Sequence, residues 1–389
     1  MRWMPAITAV AWLYWGAQML WALRRIALRH WPAQLALRLA LWAVAGAVWA
    51  LNTLGFICDE VLFAAYRRTP VREPVFIIGI PRSGTTFLQR VLAQDRAATG
   101  LTLAEALFYP SITQRHCARA LAKVLGPLTS RFGAIALPGM PEASVHALGL
   151  SEPEEDFLLL APLGGCFLMA LTCPGAKHFW NLANFDRALP AWYRRALMRY
   201  YHRCVQKHLT FHGAHRRFIS KNPSFTPCVE SLRAQFPDAC FVACTRPAIA
   251  AVPSQLSALL PAARALQVSL TSGPVRDGML QLLKNYYRVI DRHERAGGRW
   301  HTLTMTDVQM HTQAVVAGLY TALHWPITPE FQVRLDALAS ASRQYQSGHR
   351  YSPGDFDLTP AAIDDFFAEP VIPLHRSNGQ NTAKRETTA

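Results

Sequence analysis

The residues best suited to chemistry lie in Gly79-Ile80-Pro81-Arg82-Ser83-Gly84-Thr85-Thr86, which joins turn formers to hydroxyls and one guanidinium. The segment follows a β-branched apolar run from Val75 to Ile80, which reads as a buried parallel strand. It precedes Phe87-Leu88-Gln89-Arg90-Val91-Leu92, whose apolar spacing is helical. Strand, tight turn and helix start together form an anion site. Backbone N–H groups converge at the helix amino terminus, and the helix dipole favours negative charge there. The frame G-x-x-x-x-G-T-T is that of a nucleotide P-loop with Thr85 in the lysine position. Triphosphate-using enzymes set that lysine on the β/γ-phosphates and Mg²⁺ on the next hydroxyl. Here Arg82 supplies the charge, and Thr85 and Thr86 supply hydroxyl donors.

That donor set suits a 5′-phosphosulfate, which carries fewer charges and needs no metal. After a hydrophobic strand, Pro81-Arg82-Ser83-Gly84-Thr85-Thr86 closely resembles the 5′-phosphosulfate loop of sulfotransferases, which use 3′-phosphoadenosine-5′-phosphosulfate as sulfuryl donor. A second segment, Phe236-Pro237-Asp238-Ala239-Cys240-Phe241-Val242-Ala243-Cys244-Thr245-Arg246, resembles the same family's 3′-phosphate strand, with Ser254 eight residues after Arg246. The resemblance assigns Arg246 and Ser254 to the donor's 3′-phosphate. An arginine gives a forked, charge-assisted contact to a phosphate, and a hydroxyl completes it. The family's usual Arg-Asp-Pro reads Arg246-Pro247-Ala248 here, so the turn departs while the Arg-to-Ser spacing stays.

Three further segments carry the likeness. Ile219-Ser220-Lys221-Asn222-Pro223 resembles the Lys-x-Pro of bacterial and tyrosylprotein sulfotransferases, and implies Lys221 at the oxygen bridging phosphate and sulfate. Glu105 falls about where these enzymes carry a glutamate and is expected first as the general base, with Glu155 and Glu154 behind it. The run Glu152-Pro153-Glu154-Glu155-Asp156 resembles the family's Pro-Glu-Glu-Asp, which could hold the acceptor, cap a helix or supply the base. His349-Arg350-Tyr351-Ser352 resembles a carboxy-terminal His-x-Tyr stretch that closes over the donor, with Arg350 and Tyr351 as its contacts. The catalytic set expected is thus Glu105, Lys221 and Arg82. Donor binding falls to Arg82, Ser83, Gly84, Thr85, Thr86, Arg246, Ser254, Arg350 and Tyr351, and acceptor binding to Glu154 and Glu155. Histidines 202, 208, 212 and 215 show no partner pattern and read as packed or solvated.

Positioning these residues takes a parallel sheet. Runs of strand type recur at Arg217–Ser220, Ala239–Thr245 and Trp300–Met305, with helical stretches between them. Strands alternating with helices imply an α/β fold, a P-loop-like three-layer α/β/α sandwich with a central parallel sheet. N-terminal hydrophobic membrane helices are expected to precede it. Residues Trp3 to Leu23 carry no charge, and as a helix they would span about 31 Å, the thickness of a bilayer's hydrocarbon core. Arg24, Arg25, Arg29 and Arg38 follow, then a second uncharged run from Leu39 to Cys58. The arginines belong on the cytoplasmic side. The second run could span, lie in the interface or pack on the globular part. The tryptophans at 3, 12, 15, 21, 31 and 42 suit an interface. The division expected is 1–60 membrane-associated helices, 61–376 catalytic domain and 377–389 polar, disordered tail.

Composition bounds the rest. With 51% hydrophobic residues the chain is not disordered, and 17% charged residues is low for a fully soluble protein. A net charge of +15 favours anionic partners. It is dispersed and carries no reading motif, so nucleic acid is not expected. The eight cysteines form no CxxC and no zinc spacing, so they read as reduced thiols without a metal. The partners expected are therefore a nucleotide sulfate donor, a hydroxyl-bearing acceptor, with a lipid or glycan suggested by the membrane end, and membrane lipid. The activated donor is made in the cytosol, which places the enzyme at a bacterial inner membrane facing the cytoplasm; a lumenal Golgi-type enzyme is the alternative. Two other functions stay open: a P-loop kinase-like transferase, which Mg²⁺-dependent ATP binding would favour, and a membrane-anchored binding protein with a degenerate fold.

Overall fold

In a computed structural model, the chain is described over residues 32–129, 154–344 and 351–368, with Leu13 alone before them. The first apolar run apart from Leu13, together with Glu152, Arg350 and the 377–389 tail, lies outside the described residues.

Five parallel strands form the sheet: β1 Val75–Gly79, β2 Ala98–Thr99, β3 Arg217–Lys221, β4 Cys240–Thr245 and β5 Trp300–Thr304. Their order is β2-β3-β1-β4-β5. The registers pair Ile77 with Lys221 on one side of β1 and Gly79 with Cys244 on the other. Thr245 at the end of β4 pairs with Thr304 of β5. Every side chain of β1 is buried, as befits a strand covered on both faces. Val75 and Ile77 face one apolar cluster and Phe76 and Ile78 the other, the period-two alternation of a strand between two helical layers.

The Val75 side packs against helix α2, Thr85–Leu92, through Leu88, Val91 and Leu92. The Phe76 side packs against two long helices, α5 (Ala191–His212) and α8 (Pro274–Ala296). Between them in sequence come α3 (Leu103–Leu107), α4 (Ile112–Thr129), α6 (Val229–Gln235) and α7 (Ala248–Ala265). The connection after β1 leaves toward β2, and that after β4 leaves toward β5. A crevice therefore opens at the carboxyl ends of β1 and β4, the place where ligands bind in sheets of this kind.

The second apolar run lies in α1, Pro32–Leu62, the one described helix long and apolar enough to cross a membrane. It is longer than the uncharged run. It takes in Arg38 at one end and Asp59 and Glu60 at the other, all three buried. Lys207 on α5 donates to Asp59 Oδ2 at 2.8 Å and lies 3.9 Å from Glu60 Oε1. The expected boundary at residue 60 thus falls inside a helix docked on the α/β part.

Candidate active site

The loop after β1 is held by its neighbours. The Ile80 N–H donates to the Cys244 carbonyl at 2.8 Å. Gly79 has φ of 117°, and a Cβ there would sit 2.1 Å from the Cys244 carbonyl oxygen, so β4 and the loop meet as closely as they do only because this residue has no side chain. Gly84, with φ of 88°, caps α2 without a side-chain bond. The first-turn N–H groups of α2 are therefore not taken up by a side-chain cap and can meet an anion. Ser83 is fully buried and donates to the Ile80 carbonyl at 2.5 Å, which closes the turn. Its hydroxyl is structural here, while Thr85 (buried) and Thr86 (half-buried) open α2. Arg82 adopts φ of 65° in the left-handed region, a strained conformation of the kind found at ligand clamps.

Arg246 follows β4 and faces the same loop. Its Nη1 donates to the Arg82 carbonyl at 3.3 Å, and its Nη2 to the Tyr351 hydroxyl at 3.2 Å. Tyr287 on α8 donates to the Arg246 carbonyl at 2.5 Å. Ser254 is buried on α7 and bonds to Tyr351. Burial pushes the Tyr351 phenol up, but its bonds to Ser254 and Arg246 and the charges of Arg246 and Arg82 outweigh this and hold it below its usual value. Arg82, Arg246, Ser254 and Tyr351 thus converge on one side of the crevice. Arg350 is outside the described residues.

Lys221 ends β3 on the other side of β1, almost wholly buried. Its ammonium lies 3.2 Å from both Glu154 Oε1 and Glu155 Oε1. The next N–H, of Asn222, donates to the Ile77 carbonyl at 2.8 Å. Thr226 then accepts from the Gly79 N–H at 2.8 Å and donates to the Pro223 carbonyl at 2.7 Å. Lys221 is therefore fixed two strand residues short of the loop. Behind it Asp156 is buried, accepting from Tyr201 and, at 2.9 Å, from Ser220. Burial pushes its carboxyl up to about 7 against the lowering by Tyr201, Ser220 and Lys221.

Glu105 is placed elsewhere. It is the third residue of α3 and forms a capping box with Thr102, taking that residue's N–H at 3.0 Å. His212 lies 2.5 Å from its Oε1, Arg115 3.6 Å from the same oxygen, and His208 3.7 Å from Oε2. Burial raises the Glu105 carboxyl, yet the bond to His212 and the charges of Arg115, His208 and His212 overcome it and hold the group well below the carboxylate range. None of these bonds reaches Lys221, the loop or Arg246. Glu105, His208 and His212 also have metal-ligand types within 4.8 Å of one another. The Arg115 guanidinium already supplies positive charge to that carboxylate, and a divalent cation would have to share it.

The structure thus brings the loop, Arg246, Ser254 and Tyr351 together, and joins Lys221 to Glu154 and Glu155. The partners of Glu105 are Thr102, Arg115, His208 and His212, which belong to neither group. Sequence reasoning missed Thr226, Tyr201 and Tyr287, which single residue types do not reveal. It also missed the joint use of His208 and His212, whose four-residue spacing on a helix was a usable signal. All eight cysteines are free and six are buried. Burial alone pushes the Cys244 thiol up to about 12.

Comparison with known proteins bears on the fold and the family. No curated protein sequence matches the chain significantly. Among solved structures, sulfotransferase STF9 from Mycobacterium avium superposes with a TM-score of 0.69 at 21% identity, covering 87% of this chain and 85% of its own. Sulfotransferase STF1 from Mycobacterium tuberculosis gives 0.60 at 19% identity, covering 82% of each chain. At such identities the likeness shows a shared fold. The sulfotransferase family itself matches residues 74–329, which run from β1 past β5 and include the loop, Lys221, Arg246 and Ser254 but not Tyr351. On that match, extending over well more than half of its length, the chain belongs to the sulfotransferase family.

Proposed function

We propose that the protein moves a sulfuryl group from 3′-phosphoadenosine-5′-phosphosulfate to a hydroxyl or amine acceptor. The observation that carries this reading is the meeting of two anion-binding elements in one crevice, the loop at the start of α2 and the Arg246 guanidinium hydrogen-bonded to that loop. A nucleoside triphosphate needs charge at one end only. A donor phosphorylated at both 5′ and 3′ positions needs both.

In this mechanism Arg246 and Ser254 hold the 3′-phosphate, with Tyr351 closing over it. The N–H groups from Ser83 to Thr86, the two threonine hydroxyls and Arg82 hold the 5′-phosphosulfate. The acceptor oxygen attacks sulfur in line. The bond from sulfur to the bridging oxygen breaks, and 3′,5′-adenosine bisphosphate leaves. Lys221 turns toward that oxygen and neutralises its charge, so no metal is called for. Glu155 takes the acceptor's proton. It is the more exposed of the two carboxylates on Lys221, and Glu154 Oε1 already accepts the Glu155 N–H at 3.1 Å. Glu105, fixed among Arg115, His208 and His212, is then a positioning residue for α3 in place of the base expected from sequence.

The acceptor is a hydroxyl of a membrane lipid or glycan. The Glu154 N–H donates to the Leu101 carbonyl just before α3, and Asn52 of α1 donates to the Leu107 carbonyl at its end. One short helix separates the acceptor carboxylates from the apolar helix. The enzyme is membrane-associated and faces the cytoplasm, where the donor is made.

The test is a thermal-shift titration in detergent, comparing 3′,5′-adenosine bisphosphate with ATP plus Mg²⁺ on wild type and Arg246→Ala. A ligand at 100 times its Kd adds about 2.7 kcal/mol. Stabilisation by the bisphosphate that is lost in the variant supports the donor class. Stabilisation by ATP plus Mg²⁺ alone overturns it in favour of the kinase reading.

A further inference from the structure

Helix α1 has two unlike faces. Arg38, Trp49, Asn52, Phe56 and Asp59 are buried against the catalytic part, a stripe with the three- and four-residue steps of a packed helix. The stripe is tied at both ends. Arg38 Nη2 donates to the Leu266 carbonyl at 2.8 Å, just after α7. Asp59 accepts from the N–H groups of Ile112 and Thr113, at 2.9 and 2.8 Å, and from Lys207. Between Arg38 and Asp59 the helix runs about 32 Å, close to the thickness of a bilayer's hydrocarbon core.

The opposite face is exposed and wholly apolar. Val44, Leu51, Leu54, Val61 and Leu62 are 58–78% exposed, and the only charged residues of α1 after Arg38, Asp59 and Glu60, are buried on the other face. Leu37, Val44, Leu51 and Cys58 recur every seven residues and make one line along it. Phe108 after α3 and Leu121 on α4, the helix packed against α1, are exposed as well. A face of this length on a soluble monomer marks an interaction site.

We propose that α1 lies in the plane of a membrane surface as a monotopic anchor, its exposed face sunk in the interface and its buried face on the enzyme, rather than crossing the bilayer. A crossing helix would carry one of its two tethers, the Leu266 turn or the Ile112–Thr113 turn, to the far leaflet and draw the charged surface between them into hydrocarbon, at a high cost per charge. The occupant is an anionic bilayer and not a soluble protein. The segment leading into α1 contains the uncharged run Trp3–Leu23 followed by Arg24, Arg25 and Arg29, and α4, packed on α1, exposes Arg119 and Lys123. Apolar surface beside basic residues matches the interface of acidic headgroups, where such helices settle about 5–10 Å deep. The proposal deepens the membrane association above and does not depend on the reaction catalysed.

The test is spin-label depth measurement on the full chain reconstituted in vesicles containing phosphatidylglycerol. Labels are placed singly at Leu37→Cys, Val44→Cys, Leu51→Cys and native Cys58, with Cys117→Ser throughout and Cys58→Ser in the first three. Accessibility to oxygen is compared with accessibility to a water-soluble nickel chelate. The proposal expects one shallow depth at all four positions. A depth that peaks at 44 and 51 and falls away at 37 and 58 means a crossing helix and overturns it. Free access of the chelate at all four means no lipid contact. Exclusion of both probes means that protein covers the face, whether the residues before α1 or a second copy, and either result also overturns it. Turnover of the labelled chains, read in parallel, keeps a failure of this proposal separate from a failure of the sulfuryl-transfer reading.

Discussion

At the scale of the residue, charge placement separates roles that residue type leaves equal. Lys221, Glu154 and Glu155 form one group at the end of β3. Removing a preorganised cation from a leaving group costs two to three orders of magnitude in rate. Lys221→Ala should therefore lower kcat by about 100- to 1,000-fold while bisphosphate binding, read by thermal shift, persists. The two candidate bases part in the same way. Loss of a general base costs about 10²- to 10⁴-fold. Glu155→Gln should show that fall with a normal melting temperature. Glu105→Gln should melt earlier, because it leaves the buried Arg115 guanidinium without its counter-charge, and should keep most of its kcat. The opposite pattern would return the base to Glu105. Asp156 gives a pH prediction. Its folded value is pushed up to about 7, while an unfolded aspartate ionises near about 4. Between these values the folded chain holds a proton that the unfolded one has lost, so stability falls as pH rises. Glu105 acts with the opposite sign, since its folded value is depressed and its contribution is lost as pH drops below about 4. Urea midpoints from pH 4 to 8 should show the Asp156 slope in wild type and its loss in Asp156→Asn.

Elements decide which of these residues can meet. The loop works because β4 comes within contact of Gly79, and the shape of that contact leaves no room for a methyl group. Gly79→Ala would place a Cβ against the Cys244 carbonyl at a positive φ. It should destabilise the fold by at least about 2–3 kcal/mol and abolish donor binding, as denaturant unfolding and titration would show. The α1–α5 contact rests on a buried ion pair. Lys207 lies 3.8 Å over the Tyr66 ring and donates to Asp59. Burial lowers the ammonium and Asp59 raises it, with the net effect downward. Lys207→Met leaves Asp59 buried without its cation, and should cost about 3–5 kcal/mol. Asp59→Asn combined with Lys207→Met should cost less than the lysine change alone, a non-additivity that a double-mutant cycle reads directly.

Over the whole molecule, the net charge of +15 belongs to binding and not to folding. A donor with phosphate at two positions should bind less tightly as salt rises, because its attraction to an exposed basic surface is screened within about 10 Å at 0.1 M. The expected outcome is a donor KM that climbs with sodium chloride while kcat at saturation stays level. A salt-independent KM would assign the affinity to the buried contacts of Arg246 and the loop alone.

The sequence by itself determined what local pattern can carry. The run Val75–Ile80, the turn glycines and the helical spacing after them fixed β1, the loop and α2, because a buried strand and an anion-binding helix start need those residue types in that order. The other three strands read from the sequence, Arg217–Ser220, Ala239–Thr245 and Trp300–Met305, fall within one residue of β3, β4 and β5. Two-residue β2 was not legible, since two residues make no period. The Arg-to-Ser spacing after β4 was legible too, as both residues follow one strand. Distances between segments far apart in sequence were not. Only packing decided that Glu105 meets two histidines of α5 more than a hundred residues on, while Glu154 and Glu155 meet Lys221. Only packing turned the second apolar run from a free span into a docked helix. Its twenty uncharged residues look the same in either state, and the difference lies in three charged residues at its ends, whose partners Leu266, Thr113 and Lys207 are set by the tertiary fold.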